Sequence, residues 1–300
     1  MTDSGRVMAV GFFDGVHIGH AALLERAKQK ALETGARPAV LSFDTHPDDL
    51  VFHQSIKLIG DSENRRDLIE RCFGIEEVFF LRFDRDLMNM PWDQFISFSA
   101  EKFNIRCYVV GYDFTFGKDG EGTAEKLKLY CQQNGLGCEI IDPVRLDGKV
   151  VSSTLIRSLI EQGNIQQANR FLGHPYCLSG IVHSGFHIGR QMEAPTINLS
   201  FPEGVTIPRH GVYATKVVLR DGREFMAATN VGIRPTVSTD NKVSAESFLL
   251  CFNGDLYGIG VRVDFYGFLR QEKKFPDLQT LSAQIQKDAA EAEALLLRYC

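Results

Sequence analysis

Residues 11–20 read Gly-Phe-Phe-Asp-Gly-Val-His-Ile-Gly-His, and they join an apolar run to a helical pattern. The run Val7–Gly11 predicts a strand, and the spacing of apolar side chains predicts a helix over about His20–Thr34. Glycine permits the tight turn that such a junction needs. Because a helix N-terminus presents free N–H groups and the positive end of the helix dipole, the junction is a ready site for phosphate.

The first half of the chain repeats this strand-to-helix alternation. The predicted strands are Val7–Gly11, Pro38–Phe43, Glu77–Phe83, Cys107–Gly111 and Cys138–Ile141. The predicted helices are about His20–Thr34, Glu63–Phe73, Pro91–Phe103 and Thr123–Asn134. Such alternation predicts an α/β Rossmann-like domain, a parallel sheet with helices on both faces. Ligands of such sheets bind beyond the carboxyl ends of the strands, so we expect the site in the loops after Gly11, Phe43 and Gly111.

The second half changes character after a predicted helical pair, Ser153–Gln162 and Ile165–Leu172. Gly173-His174-Pro175 then forms a strong helix stop. Strand-like segments with Asp-Gly and Asn-Gly turns follow, and they predict a small antiparallel β-barrel with a C-terminal helix at about Leu278–Arg298. These segments are Cys177–His183, Val212–Leu219, Glu224–Val231, Val243–Phe252 and Val261–Phe268. We therefore predict two domains, residues 1–173 and residues 174–300.

The composition of the chain is that of a soluble globular protein. Of its 300 residues, 44% are hydrophobic and 24% are charged, and the formal net charge is −5. That charge, without any block of like charges, argues against a surface that binds nucleic acid. No apolar stretch approaches the roughly 18 residues that span a bilayer, and no secretory signal is visible, so we expect no membrane partner. The seven cysteines are scattered without a Cys-x-x-Cys motif, which favours reduced thiols and a cytoplasmic location.

The two histidines of the junction are the first candidates for chemistry. His17 and His20 lie three residues apart at the predicted helix start, so both can face a bound phosphate. Imidazole donors there would stabilise oxygens that gain charge as a phosphoanhydride breaks, and Gly19 would let the backbone approach the ligand. Two alternatives stay open. The pair could bind zinc, although no third ligand is suitably spaced, or the histidines could be incidental to an exposed helix start.

A second candidate for phosphate binding lies at residues 151–157, Val-Ser-Ser-Thr-Leu-Ile-Arg. Ser152, Ser153 and Thr154 are good N-caps for the helix that follows. Arg157 then falls in the first turn, where a cation opposes the helix dipole, and this placement suggests an external anion. The alternative is an ion pair between Arg157 and a surface carboxylate.

With these motifs in place, the chain resembles the HxGH nucleotidyltransferase superfamily, and within it the bacterial bifunctional riboflavin kinase/FMN adenylyltransferase (FAD synthetase) family. Residues 11–20, 42–47, 111–118 and 151–157 are similar to the family's G-x-FDGVH-x-GH, second-loop, G-x-DF-x-FGK and SST-x-IR segments, with Asp44-Thr45 a looser match. The resemblance covers essentially the whole chain. It implies an enzyme of FAD biosynthesis that phosphorylates riboflavin to FMN and adenylylates FMN to FAD. ATP, riboflavin and FMN would be its substrates and Mg²⁺ its cofactor.

The resemblance also implies roles for residues of the N-terminal half. His17, His20 and Arg157 would be catalytic in a direct attack of the FMN phosphate on the α-phosphorus of ATP. The nucleotide would be bound by Gly11, Phe13, Asp14, Gly15, Gly19, Ser152, Ser153 and Thr154. The flavin would be bound by His46, Asp113, Phe114 and Phe116. From the residues alone, Asp113 could instead be an Asx-turn residue, and the two phenylalanines could equally be core.

The C-terminal half carries a second signature. The stretch from Gly180 through Gly189 to Pro195-Thr196-Ile197-Asn198 resembles the riboflavin kinase signature that ends in PT-x-N, which implies nucleotide binding by the two glycines. Thr196 and Asn198 lie two residues apart, so an extended segment would present both side chains to one side as hard oxygen ligands for Mg²⁺. Taken alone, a Thr-x-Asn pair is a weak signal that solvent-facing strand residues also produce.

Glu246 is the candidate base of this half. In Val243–Phe252 it lies in phase with Phe248, Leu250 and Phe252, and a carboxylate on an apolar face is costly unless it is satisfied, which marks it as a site candidate. The resemblance implies that it acts as general base on the riboflavin 5′-hydroxyl. The alternative is the frayed, wet end of a strand.

One departure from the family pattern bears on the kinase. Where the family usually carries Gly-Phe before PT-x-N, this chain has Glu193-Ala194. Three functions stay open: the bifunctional enzyme, an FAD synthetase whose barrel binds flavin but is impaired as a kinase, and a different HxGH adenylyl- or cytidylyltransferase with an unrelated appended domain.

Overall fold

The computed structural model describes residues 4–51, 55–183, 196–233 and 243–299. The chain forms two compact units, the first from Met1–Lys57 and Ser62–Ser153, the second from Leu58–Asp61 and Thr154–Cys300. Across the described ranges, no helix is both long enough and apolar enough to cross a membrane. The functional domain boundary after residue 173 stays a prediction.

A parallel sheet organises the first unit. The strands of this unit are β1 (Arg6–Val10), β2 (Arg37–Phe43), β3 (Glu77–Leu81), β4 (Ile105–Gly111), β5 (Thr115–Phe116), β6 (Gly122–Thr123), β7 (Gly137–Ile141), β8 (Arg145–Leu146) and β9 (Lys149–Val150). Five of them pair in the order β3-β2-β1-β4-β7, all parallel, whereas β5 with β6 and β8 with β9 form small antiparallel pairs. The strand order reverses between β1 and β4, and ligands of open parallel sheets bind at such a reversal.

Helices connect the parallel strands of this sheet. They are α1 (Ile18–Thr34), α2 (Pro47–Val51), α3 (Ser62–Phe73), α4 (Arg85–Met88), α5 (Trp92–Lys102) and α6 (Ala124–Gln133). The central strands are buried because other elements cover both of their faces; Val7, Met8 and Ala9 are all fully buried. The predicted α/β architecture is confirmed, with strand and helix ends shifted by one or two residues, and the short helices α2 and α4 were not predicted.

A curled antiparallel sheet organises the second unit. The unit contains α7 (Ser153–Glu161, whose first residue belongs to the first unit), α8 (Ile165–Leu172), β10 (Tyr176–Ile181), β11 (Thr196–Ser200), β12 (Gly211–Leu219), β13 (Glu224–Ile233), β14 (Val243–Leu249), β15 (Gly260–Arg270) and α9 (Leu278–Leu296). The strands pair in the order β10-β15-β12-β13-β14-β11. Just after β10, His183 forms an antiparallel bridge with Asn198 of β11, the strand at the opposite edge of the sheet. The predicted antiparallel barrel with a final helix is confirmed.

Two strand limits in this unit differ from the predictions. β14 ends at Leu249 rather than Phe252, because Cys251 has a left-handed backbone (φ 54°) that a strand cannot continue through. Thr196–Ser200, expected only as an extended segment, is a paired strand at the sheet edge.

The C-terminal helix α9 covers one face of the sheet. Ala292 and Leu296 of the helix pack with Val212, Ala214 and Ala228 of the strands. Small alanines on both sides let helix and sheet approach closely, and the burial of these side chains at about 25 cal/mol per Å² stabilises the contact.

Candidate active site

The loop between β1 and α1 has a strained backbone. Phe13 and Val16 both have left-handed conformations, with φ values of 59° and 43°, although neither is glycine. Gly15 between them, at φ 72°, adopts a positive φ without strain. Each non-glycine residue of this kind costs on the order of 1–3 kcal/mol, and such residues persist only where the surroundings determine them. The glycines predicted a tight turn, but nothing in the sequence indicated the strain at Phe13 and Val16.

His17 is the N-cap of α1, so it directly precedes the first helical residue, Ile18. The predicted helix start near His20 was two residues late, since the helix begins at Ile18. The Nδ1 atom of His17 accepts the backbone N–H of His20 at 3.2 Å. A nitrogen that accepts carries no proton, so the neutral ring carries its proton on Nε2 and can donate from there. His17 is 6% exposed, so the cap holds its ring in one orientation.

His20 stacks on His17, with ring centroids 3.6 Å apart and planes 11° apart. The edge of the Phe13 ring packs against it at 5.2 Å. Its pKa is well below the ordinary histidine value, first because burial penalises the charged ring, then because of electrostatic interactions with His17 and Arg65. Its Nδ1 atom is buried and has no hydrogen-bond partner in the described part of the chain. His20 is therefore neutral at physiological pH.

Gly19 makes the histidine stack possible. A Cβ at this position would meet Cε1 and Nδ1 of the His17 ring, both at 3.0 Å. The sequence predicted that Gly19 admits a ligand to the backbone, which stays a prediction. The structure gives another reason for glycine here, because a larger residue would crowd the imidazole of His17.

Residues at and after the end of β2 contact the loop between β1 and α1, residues 11–17, which we call the histidine loop. Ser42 is fully buried, and its hydroxyl donates to the Phe12 carbonyl at 2.9 Å. His46 packs against the Phe12 ring, with centroids 4.5 Å apart, and its Nδ1 atom accepts the backbone N–H of Asp48 at 3.2 Å. The predicted flavin residue His46 thus lies beside the histidine loop.

A buried arginine completes this part of the site, and sequence reasoning missed it. Arg65 of α3 is fully buried and donates to the carbonyls of Phe12 and Phe43 and to the Ser42 hydroxyl. Its guanidinium lies 4.2 Å from the Phe12 ring centroid. The sequence around it is a polar helix start, which carries no sign of burial.

The two phenylalanines after β4, which the sequence could not assign to core or site, differ in burial. Phe116 is 8% exposed and packs on Phe95, with centroids 5.6 Å apart, so it is a core residue. Phe114 is half-buried and stacks on Phe116 at 5.1 Å, with planes 18° apart. Asp113 next to them is exposed. Flavin contact by Asp113, Phe114 and Phe116 stays a prediction, and burial favours Phe114 over Phe116.

The first residue of α7 is hydrogen-bonded to the histidine loop. Ser153 is the first helical residue rather than the cap, and its hydroxyl donates to the backbone carbonyl of Asp14 at 3.0 Å. Asp14 itself is 3% exposed. Further along the helix, Arg157 is half-buried and donates to the Thr154 hydroxyl at 3.1 Å. The Ser153 bond joins the start of the second predicted phosphate motif to the first.

Glu246 is exposed and lies on the face of the antiparallel sheet that α9 partly covers. It shares its face with half-buried Phe248, as predicted, and with buried Ser244. The buried face of β14 is formed by the alternate residues Ala245, Ser247 and Leu249. The predicted period-two alternation holds from Val243 to Leu249, whereas Leu250 and Phe252 lie beyond the end of the strand.

Two asparagines flank Glu246. In the pairing register Asn198 of β11 and Asn230 of β13 stand directly opposite it on its two sides. Directly paired residues of adjacent strands share a face, so the three polar side chains form a row. Thr196, two residues from Asn198, pairs with Phe248 on the same face.

This row borders a cavity of about 230 Å³ between the sheet and α9. Its lining includes Thr196, Asn230, Glu246, Phe248, Ile285 and Asp288. A concave site with apolar walls and a few converging polar groups is the usual form of a small-molecule site. Glu246, at its wall, can reach a ligand without being buried.

Asn198 meets a requirement for a metal ligand. It is 2% exposed, and neither Oδ1 nor Nδ2 has a hydrogen-bond partner within the described ranges. A buried amide without partners costs about 1–3 kcal/mol, and a bound cation would satisfy its Oδ1 atom. Thr196 is half-buried on the same face, so the two side chains fit Mg²⁺, a cation that prefers oxygen ligands.

The other predicted residues of this half divide into two groups. Gly180 lies in β10 and is half-buried. Gly189, together with Glu193-Ala194 and Pro195, lies outside the described residues.

Two family models match the chain. One described as FAD synthetase matches residues 1–155, and one described as riboflavin kinase matches residues 172–296. Together they account for nearly the whole chain.

Curated relatives match over nearly their full length. The bifunctional riboflavin kinase/FMN adenylyltransferase of Listeria monocytogenes is 32% identical over 299 residues, covering 99% of this chain and 94% of the relative. The protein of the same name from Bacillus subtilis is 33% identical, covering 95% of this chain and 91% of the relative.

A solved structure shares the fold. The crystal structure of a Streptococcus pneumoniae protein named macrolide-efflux protein superimposes with a TM-score of 0.83 at 28% identity, covering 96% of this chain and 94% of that one.

Proposed function

The chain belongs to the bacterial bifunctional riboflavin kinase/FMN adenylyltransferase family, and on that premise we propose that it makes FAD from riboflavin in two ATP-dependent steps. The second unit phosphorylates riboflavin to FMN. The first unit transfers the adenylyl group of ATP to FMN and releases pyrophosphate. The stacked neutral histidines on a strained turn at the reversal of a parallel sheet are the observation that carries this proposal.

In adenylyl transfer the FMN phosphate attacks the α-phosphorus of ATP. Negative charge then builds on the phosphate oxygens as the bond to pyrophosphate breaks. The N–H groups of His17 and His20 donate to those oxygens, with the free backbone N–H groups at the start of α1. We assign Arg157 a supporting cationic role and the Gly11–Gly19 and Ser152–Thr154 segments to nucleotide binding. Catalysis then consists of positioning and charge stabilisation, without a covalent enzyme intermediate.

In the kinase step Glu246 accepts the proton of the riboflavin 5′-hydroxyl while that oxygen attacks the γ-phosphorus of ATP, and the bond from that phosphorus to ADP breaks, so that ADP leaves. Its place at the wall of the cavity supports this role, because a base must reach the hydroxyl within hydrogen-bond distance. Thr196 and Asn198 would hold Mg²⁺, which when bound offsets the charge of the ATP phosphates. Gly180 and Gly189 are assigned to the nucleotide, and the cytoplasm remains the predicted location.

The test is chromatography of products from riboflavin, Mg²⁺-ATP and the purified full-length chain. We expect FMN and then FAD. FAD formed only when FMN is supplied would reduce the function to FAD synthetase with a kinase-impaired barrel. A parallel reaction with CTP in place of ATP identifies the transferred nucleotide. If the chain makes neither FMN from riboflavin nor FAD from FMN, the proposal is refuted.

A further inference from the structure

A fully buried arginine, Arg65, lies where local structure disfavours it. It belongs to the first turn of α3, Ser62–Phe73, where a cation opposes the helix dipole at a cost of about 0.3–1 kcal/mol. Burying an ion costs several kcal/mol more unless hydrogen bonds satisfy it. Its retention in the core therefore has to be explained by what the guanidinium contacts.

The guanidinium joins the ends of two neighbouring strands. Nη1 donates to the Phe12 carbonyl at 2.7 Å and to the Ser42 hydroxyl at 2.9 Å, and Nη2 donates to the Phe43 carbonyl at 2.9 Å. Phe12 follows β1 by two residues, whereas Phe43 is the last residue of β2. A planar fork with donors in fixed directions can bridge such acceptors, and a point-like ammonium cannot do so with the same geometry.

Two aromatic rings also contact the guanidinium. The Arg65 guanidinium carbon lies 4.2 Å from the Phe12 ring centroid and 5.1 Å from the Phe80 ring centroid. Phe12 is thus contacted by Arg65 through its backbone and through its ring. Its carbonyl also accepts the Ser42 hydroxyl, so three interactions converge on one residue.

Phe12 is the residue immediately before the strained turn. Phe13 and Val16 hold left-handed conformations that are sparsely populated without outside constraint. The turn leads directly to His17, which caps α1 and stacks on His20. Fixing Phe12 fixes the entry to this turn.

We propose that Arg65 is a positioning residue for adenylyl transfer, whose forked hydrogen bonds to Phe12 and Phe43 keep the strained turn, and with it both histidines, in reacting geometry. The inference rests on the proposed function, because it concerns the rate of that reaction. Arg65 acts through the turn and is not assigned a contact with substrate. Because the histidines act on charge that develops in the transition state, misplacing them lowers kcat rather than raising the KM for ATP.

The experiment compares full-length wild type with Arg65→Met, Arg65→Lys and Arg66→Met. Arg66 is the matched control, since it also lies over Phe80 but is 43% exposed and pairs with Glu70 on the helix surface. FAD formation from FMN gives kcat and the KM for ATP, FMN formation from riboflavin monitors the second unit, and thermal unfolding monitors the fold. Displacements of about 1 Å can cost about 10²-fold in rate.

We expect kcat for FAD formation to fall about 10²-fold in Arg65→Lys, with the KM for ATP, FMN formation and folding largely kept. Lysine preserves the charge but not the fork, so a kcat near the wild-type value in this variant would overturn the proposal. If Arg65→Met fails to fold, Arg65→Lys alone decides. An Arg66→Met variant that loses as much kcat would also overturn it. A wild-type chain that makes no FAD would instead refute the proposed function, so the two failures are distinguishable.

Discussion

His17 and His20 face each other as a stacked pair, with their rings nearly parallel at a centroid distance of 3.6 Å. Burial lowers the pKa of His20 well below its ordinary value, and the neighbouring His17 lowers it further. The backbone N–H of His20 fixes the proton of the neutral His17 ring on Nε2. The stack thus provides neutral hydrogen-bond donors at the start of α1, which the predictions below address.

Replacing His20 by alanine should remove one of these donors. Loss of one preorganised donor to a developing anion costs about 10²–10³-fold in kcat, so we expect FAD formation from FMN to fall by that factor. FMN formation from riboflavin should be unchanged, because Glu246 lies in the other unit. Product chromatography measures both rates in one preparation. His210→Ala is the control, because His210 is a half-buried histidine of the second unit, just before β12. Wild-type FAD output from His20→Ala would contradict the assignment.

The lowered pKa of His20 makes part of the stability acid-sensitive. The folded chain protonates His20 only at a pH below the value of about 6.5 at which the unfolded chain does. In that window the unfolded state binds more protons, so the free energy of unfolding falls as the pH drops from about 6.5 toward the folded pKa. Above about 6.5 this contribution is fully present.

His20→Gln should remove this dependence. We expect a smaller drop in unfolding temperature between about pH 7.5 and about pH 5 in the variant than in the wild type. Differential scanning calorimetry at each pH gives the comparison. Equal drops in the two proteins would mean that His20 does not carry the effect.

Gly19→Ala should separate activity from stability. Alanine in a helix is favoured over glycine by about 0.8–1 kcal/mol, yet its Cβ would meet the His17 ring at 3.0 Å. We expect little change in unfolding temperature, because the two effects oppose each other, and a reduced kcat for FAD formation because the ring must shift. Calorimetry and FAD assays on one preparation test this, and undiminished FAD formation would show that the ring has room to move.

Glu246→Gln should abolish the kinase step selectively. Loss of a general base costs about 10²–10⁴-fold, so FMN formation from riboflavin should fall by that factor while FAD formation from supplied FMN persists. Glu224→Gln is the control, an exposed glutamate at the far end of the neighbouring strand β13. Coupled assays of ADP and pyrophosphate release distinguish the two steps. If the two variants phosphorylate riboflavin equally well, Glu246 is not the base.

Asp288→Asn should loosen the wall of the cavity beside Glu246, where we propose that riboflavin reacts. Asp288 of α9 is 3% exposed and forms a bidentate ion pair with Arg270 of β15 at 2.7 and 2.6 Å. Removing one partner of such a buried pair costs about 3 kcal/mol. We expect a lower unfolding temperature and a higher KM for riboflavin, measured by calorimetry and steady-state kinetics. Lys287→Gln, next to it but exposed, should change neither, and a similar loss there would contradict the role of the pair.

Much of this protein follows from its sequence because the relevant signals are local. Apolar runs of strand length and helical spacing predicted the α/β domain, the barrel and the final helix, and most ends agree within two residues. The junction at residues 11–20 predicted a turn with paired histidines at a helix start, because a strand, glycines and a helix follow one another there without a gap.

The tertiary structure decided which faces are buried and which distant residues meet. Arg65 and Phe12 are 53 residues apart, and no periodicity of the chain connects them. Glu246 and Phe248 were expected together on an apolar face, but that this face lines a cavity depends on the packing of α9 against the sheet. Periodicity tells which side chains share a side of an element, whereas what covers that side depends on contacts between elements far apart in the chain.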